Sequence, residues 1–259
     1  MEQTMKKKIM QLAAVFLAMT MCVPTVWGAR TDSADQKVRV GLASSSSHNA
    51  TGELACAHLQ NNTGFGAGYR FGYYDSDLNF VELARTGQSI DQVAVLKARN
   101  MYYGYDASAG KYTYSESNLG GAAVGCYHIQ IPGSYVSYSN AASDAQVYGG
   151  FVAWIDGAYQ VRVGSYATKE TAESALTGLP QGTVVGTSAY GMNVVETGTD
   201  HILFQFDMGK GGALGILPDV TGAGDVRTWF SGYKYRGGFT YQRVSGNDLT
   251  VVNVLPLED

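Results

Sequence analysis

From Lys37 onward apolar and polar positions mostly alternate with a period of two, which predicts strands. The stretch "KVRVGLA" alternates cleanly, and "GYRFGYYDSDLNFVELA" reads as strand, an Asp75-Ser76-Asp77 turn and strand, a hairpin. "ARNMYYGYDASAGKYTYSESNLGG" is polar, glycine-dotted and aromatic, and suits an irregular hairpin or an exposed connection near Gly120-Gly121. "GELACAHLQNN" and "SIDQVAVLKARN" each suit a short helix. Residues 37–121 therefore read as a β-rich N-terminal region.

The pattern is clearer over residues 124–188. Tyr127, Ile129 and Ile131 alternate with His128 and Gln130, the pattern of a half-buried strand. Ser137 is a plausible N-cap; beyond it Ala141, Ala145 and Tyr148 fall on one helical face, and Gly149-Gly150 supplies a stop. "FVAWI" and "AYQVRV" flank Asp156-Gly157, a strong local hairpin signal. Ala172, Ala175, Leu176 and Leu179 then recur at helical spacing behind Thr168 as cap, and "GTVVGTS" closes the unit as a short strand.

The predicted order is strand, helix, strand, strand, helix, strand. Such a βαββαβ unit naturally forms a four-stranded sheet with two helices on one face. Pairing across Asp156-Gly157 sets Trp154 opposite Tyr159 and Val152 opposite Val161, so Val152, Trp154, Tyr159, Val161 and Val163 are expected under the helices. His128, Gln130, Ile155, Gln160 and Arg162 are then expected on an open face. Residues 189–259 return to strand-like text, "MNVVETG", "HILFQFD" and "DLTVVNVLPL" among it. The fold class is α+β, with β-rich regions on either side of the central unit.

Composition narrows the function. Residues 1–28 carry Lys6, Lys7 and Lys8, an apolar run from Ile9 to Val23 and small residues near Gly28, the pattern of a cleaved secretory signal. The whole chain has 18 Lys+Arg against 22 Asp+Glu. Loss of Glu2 and the three lysines leaves the remainder more acidic still, which argues against nucleic acid as partner. Past the leader no further apolar run is long enough to span a bilayer, so the expected location is secreted, at the cell wall or otherwise extracytoplasmic, with no membrane contact after cleavage. Cys56 and Cys126 remain, either as one disulfide or as two separate thiols.

Familiar chemistries find little support. His48, His58, His128 and His201 show no metal-ligand spacing. "GFGAGYRFG" lacks the context of a dinucleotide loop and "GKGGALG" the ending of a phosphate loop. "DVTGAGDV" is similar to a sugar-kinase motif, but bulky strand-like residues follow Asp225 where a helix is needed. No catalytic triad or carboxylate pair is singled out, and no cofactor or metal is expected.

The phrases "YHIQIPGSY" and "YQVRVGSYATKETAESAL" resemble the two halves of a sporulation-related (SPOR) repeat, over about residues 124–188. Bacterial SPOR domains bind peptidoglycan glycan strands, preferring strands stripped of stem peptides, on the sheet face away from the helices. The resemblance implies contacts from Gln130, at the family's polar position in the first strand, and Arg162, at its basic position in the third. Alternation adds His128 and Gln160 as neighbours.

A second resemblance lies in "YKYRGGFTYQRVSGNDLTVVNVLPLED", which is similar to the opening of the stage II sporulation protein D family, also called the LytB amidase-enhancer family. Members include lytic transglycosylases whose catalytic glutamate sits on a helix that would follow Asp259, so Glu258 is not expected to be catalytic. The two resemblances together imply a secreted protein that binds denuded glycan strands in cell-wall remodelling or sporulation, with cell-wall hydrolases as possible partners. The alternative they leave is the N-terminal fragment of a lytic transglycosylase.

Overall fold

The computed structural model describes residues 36–45, 51–61, 68–179, 181–220 and 226–257. Contacts divide the chain into Met1–Gln36 and Lys37–Asp259, and the elements described all belong to the second unit. The expected leader, His48, the start of "GFGAGYRFG", Asp225 and Glu258 lie outside the described residues. Among the described residues no helix is long and apolar enough to cross a membrane.

The unit is mixed α+β and mostly strand. First come β1 (Lys37–Ala43), β2 (Cys56–Asn61), β3 (Tyr69–Tyr74), β4 (Phe80–Arg85), β5 (Gln92–Lys97), β6 (Tyr102–Asp106), β7 (Lys111–Ser115) and β8 (Ala122–Ala123). The central segment is β9 (Tyr127–Tyr135), α1 (Tyr138–Tyr148), β10 (Phe151–Ile155), β11 (Ala158–Tyr166), α2 (Lys169–Leu176) and β12 (Thr183–Gly186). It is followed by β13 (Met192–Glu196), β14 (Ile202–Asp207), β15 (Ala213–Pro218), β16 (Thr228–Phe230), β17 (Tyr233–Tyr235), β18 (Gly238–Gln242) and β19 (Thr250–Pro256).

Local signals decide the local structure. Ser137 caps α1, its hydroxyl accepting from the Asn140 amide, and Gly149 ends it in the left-handed conformation at φ 64°. Thr168 and Thr171 form a reciprocal cap at the start of α2. Asp156 and Gly157 take φ 49° and 83°, as a tight hairpin turn requires, and the pairing sets Trp154 against Tyr159 and Val152 against Val161.

Two segments read as helices from their composition are strands, β2 and β5. In β5 Val93 and Val95 enter one core while Ala94 and Leu96 enter another. A strand buried on both faces shows a continuous apolar run instead of alternation, which periodicity alone does not separate from a helix.

The strands form a ten-stranded sheet in the order β12-β9-β11-β10-β14-β13-β5-β2-β16-β17, a six-stranded sheet β1-β19-β18-β15-β3-β4 and a three-stranded sheet β7-β6-β8. The four central strands thus do not stand as a separate sheet: β10 pairs in parallel with β14, joining them to the rest. One face of the large sheet, through Val152, Val161, Val194, Phe204 and Phe206, packs on α1 and on Phe71, Ile216 and Phe239 of the six-stranded sheet. The Phe71 and Phe204 rings stack across this core at 5.7 Å, each burying a side chain worth about 2–3 kcal/mol. On the opposite face Leu96, Phe151, Val195 and Ile202 are covered by Met101, Tyr114 and Val124 from the segment that carries the three-stranded sheet.

Candidate functional site

β9 and β11 bring His128, Gln130, Gln160 and Arg162 together, with Arg162 directly opposite Gln130. They do not form an open face. His128 is fully buried and Arg162 is 4% exposed, whereas Gln130 and Gln160 are half-buried. Alternation decides which face a side chain takes but not what covers that face, and here the cover arrives from residues 98–126.

The buried pair belongs to a polar network. The His128 Nδ1 atom is 2.7 Å from the Gly164 carbonyl, which can only accept, so Nδ1 carries the proton. His128 Nε2 then accepts from the Gln205 amide at 3.0 Å, and the same amide nitrogen donates to Asn193 Oδ1 at 2.8 Å. Asn193 Nδ2 donates to the Val124 carbonyl at 2.7 Å, tying the network to the covering segment. Arg162 donates to Gln205 Oε1 through Nη1 and to Gln160 Oε1 through Nη2, while its Nε has no partner among the described residues. Burial pushes the His128 pKa down to about 4, with the Gly164 carbonyl opposing and the Arg162 charge adding. Burial likewise pushes the Arg162 guanidinium down to about 10.

A second polar site, which the sequence pattern does not reveal, is a cleft of about 440 Å³ lined by Glu53, Lys97, Arg99, Glu116, Arg243 and Asp248 with polar neighbours. Lys97 Nζ contacts Glu116 and lies 2.7 Å from Asp248 Oδ1. Burial opposes the ammonium charge, but the bonds to Asp248 and Glu116 outweigh it and the pKa lies above its ordinary value. Arg243, almost fully buried, donates to the carbonyls of Asn247, Gly191 and Gly246 and so fixes the cleft wall. Three acids balance three bases, so the cleft favours neither an anion nor a cation. Lys97, Glu116 and Asp248 come from a strand end, a hairpin exit and a turn, and no motif links them.

Among the described residues the remaining reactive groups stand apart from one another, singly or in pairs. Cys56 and Cys126 are free thiols, so no disulfide joins them. Cys56 Sγ lies 3.3 Å from His58 Nε2, but burial pushes the thiol up to about 12, opposite to what a nucleophile needs. His201 pairs with Glu196 at 3.6 Å on the surface. Among the described residues no group of three or more His, Cys, Asp or Glu stands close enough to hold a metal ion. The chain matches no family model, no curated protein and no solved structure.

Proposed function

We propose that the protein binds glycan strands of the bacterial cell wall through the central segment, residues 124–188, as a SPOR-like module. The observation behind this reading is strand order. The chain order strand, helix, strand, strand, helix, strand folds into β12-β9-β11-β10 with antiparallel neighbours, and α1 and α2 lie over these four strands. This order supports the reading, and the ligand side it proposes is the margin of the opposite face that residues 98–126 leave uncovered, where Gln130 and Gln160 are half-buried.

On that side burial restricts direct contact to Gln130 and Gln160. Amides donate and accept at once, which suits the hydroxyl rim of a sugar. Arg162 acts from beneath as a positioning residue, its Nη2 donating to the Gln160 side-chain Oε1 at 3.0 Å and so leaving the Gln160 amide nitrogen as the donor for a ligand.

The test is a pull-down on amidase-treated and intact sacculi. Preferential retention on the denuded material, weakened by Gln130→Ala with Gln160→Ala, is expected. Equal retention on both materials would remove the proposal; equal retention of wild type and double variant on denuded strands would remove the two amides from it.

A further inference from the structure

The β6–β7 hairpin carries four tyrosines on one face. Its register sets Tyr103 opposite Tyr114 and Tyr105 opposite Tyr112, and directly opposed residues share a face. The rings form a continuous ladder: Tyr114 to Tyr103 at 5.1 Å, Tyr103 stacked on Tyr112 at 5.6 Å, and Tyr105 edge-on to Tyr112 at 5.4 Å.

The two halves of the ladder differ. The Tyr114 hydroxyl donates to the carbonyls of Thr199 and Glu196, and that of Tyr103 to Gly198, so the inner pair docks the hairpin on the turn after β13. Tyr105 is 51% and Tyr112 64% exposed, and their hydroxyls bond to no described residue. Folding uses the inner rings; the outer rings hold flat apolar surface in water at a cost that a ligand would recover.

We infer that Tyr105 and Tyr112 form a carbohydrate-binding platform. Aromatic rings offer a flat apolar face for the C–H face of a pyranose, and the two free phenols supply donors and acceptors for its hydroxyls. Nucleobases also stack on such rings, but the chain is acidic, and the hairpin from Tyr102 to Ser115 has one cation, Lys111, opposite the anion Asp106. A proline-rich peptide needs a slot between aromatic ridges, and here Tyr105 and Tyr112 touch, leaving a platform and no slot. The inference deepens the proposed glycan-binding function and rests on it only for which polymer is bound.

The experiment uses the full chain with three insoluble probes: denuded sacculi, chitin and cellulose. Wild type is compared with Tyr105→Ala/Tyr112→Ala and with the ring-preserving Tyr105→Phe/Tyr112→Phe, and thermal midpoints verify that both variants fold. The alanine pair is expected to weaken polymer binding about tenfold or more, and the phenylalanine pair by less. Undiminished binding of denuded sacculi by the alanine pair would overturn the platform and leave the cell-wall proposal standing. Binding of chitin or cellulose alone, lost in the alanine pair, would uphold the platform and remove the cell-wall proposal. Binding to none of the three polymers would overturn both.

Discussion

The Gln205 side chain meets the imidazole of His128 at 3.0 Å with its amide nitrogen, so it can satisfy only a histidine whose Nε2 is unprotonated. A second proton on the ring would set donor against donor in a fully buried site. The His128 pKa is about 4 in the folded chain against an ordinary 6.5. Below pH 6.5 the unfolded chain therefore binds a proton that the native chain refuses, and stability rises with pH across that window. Folding stability is expected to fall by about 3 kcal/mol as pH drops from 6.5 to about 4, and to level off below. Denaturant titrations of wild type and His128→Asn over this range isolate the effect; parallel curves for the two proteins would refute it.

Gln205 also accepts from Arg162 and donates to Asn193, so one residue satisfies three buried partners. Gln205→Leu would take one partner from each of them and is expected to cost about 3 kcal/mol, against less than about 1 kcal/mol for Gln160→Ala at the half-buried margin. A double-mutant cycle on Arg162 and Gln205 should show coupling of about 1 kcal/mol or more. Additive losses would mean that the two side chains merely adjoin.

Much of the central segment was legible because its signals are local. Ser137, Thr168 and Asp156-Gly157 each act within three or four residues, and the register of Trp154 on Tyr159 follows from the turn. What was not legible depends on distant partners. The parallel pairing of β10 with β14 and the burial of His128 in a network that ends on the Val124 carbonyl have no signature in the strands themselves, since alternation looks the same beneath solvent and beneath a second layer. The aromatic hairpin was visible only as polar, aromatic text; its division into two docking and two free rings needed the positions of Gly198 and Thr199.

The Lys97 ammonium bridges Glu116 and Asp248 unevenly, because the Glu116 side chain is 56% exposed and that of Asp248 32%. Water and salt screen the first pair more than the second. Asp248→Asn is therefore expected to destabilise more than Glu116→Gln, and Lys97→Met, which leaves two carboxylates facing each other, to cost about 2 kcal/mol. Urea midpoints in low and high salt test this. The Glu116→Gln effect should vanish in concentrated salt, and an Asp248→Asn effect no larger than it would contradict the asymmetry.

Glycine-to-alanine changes separate backbone strain from close packing. At Gly157 the added Cβ meets nothing within 4 Å, so the cost comes from φ 83° alone, about 1 kcal/mol, and lowers the melting temperature by about 2–4 °C for a chain of this size. At buried Gly238 no positive φ is involved, but the Cβ would stand 2.0 Å from the Tyr74 hydroxyl and 2.9 Å from the Ile216 carbonyl oxygen. The tyrosine tip can swing away, whereas the carbonyl belongs to the pairing of β18 with β15 and cannot move without breaking the ladder. Gly238→Ala is expected to cost about 3 kcal/mol. Thermal melts of the two variants rank the effects: a larger loss at Gly157 would mean that the six-stranded sheet yields at Gly238 more readily than its pairing implies.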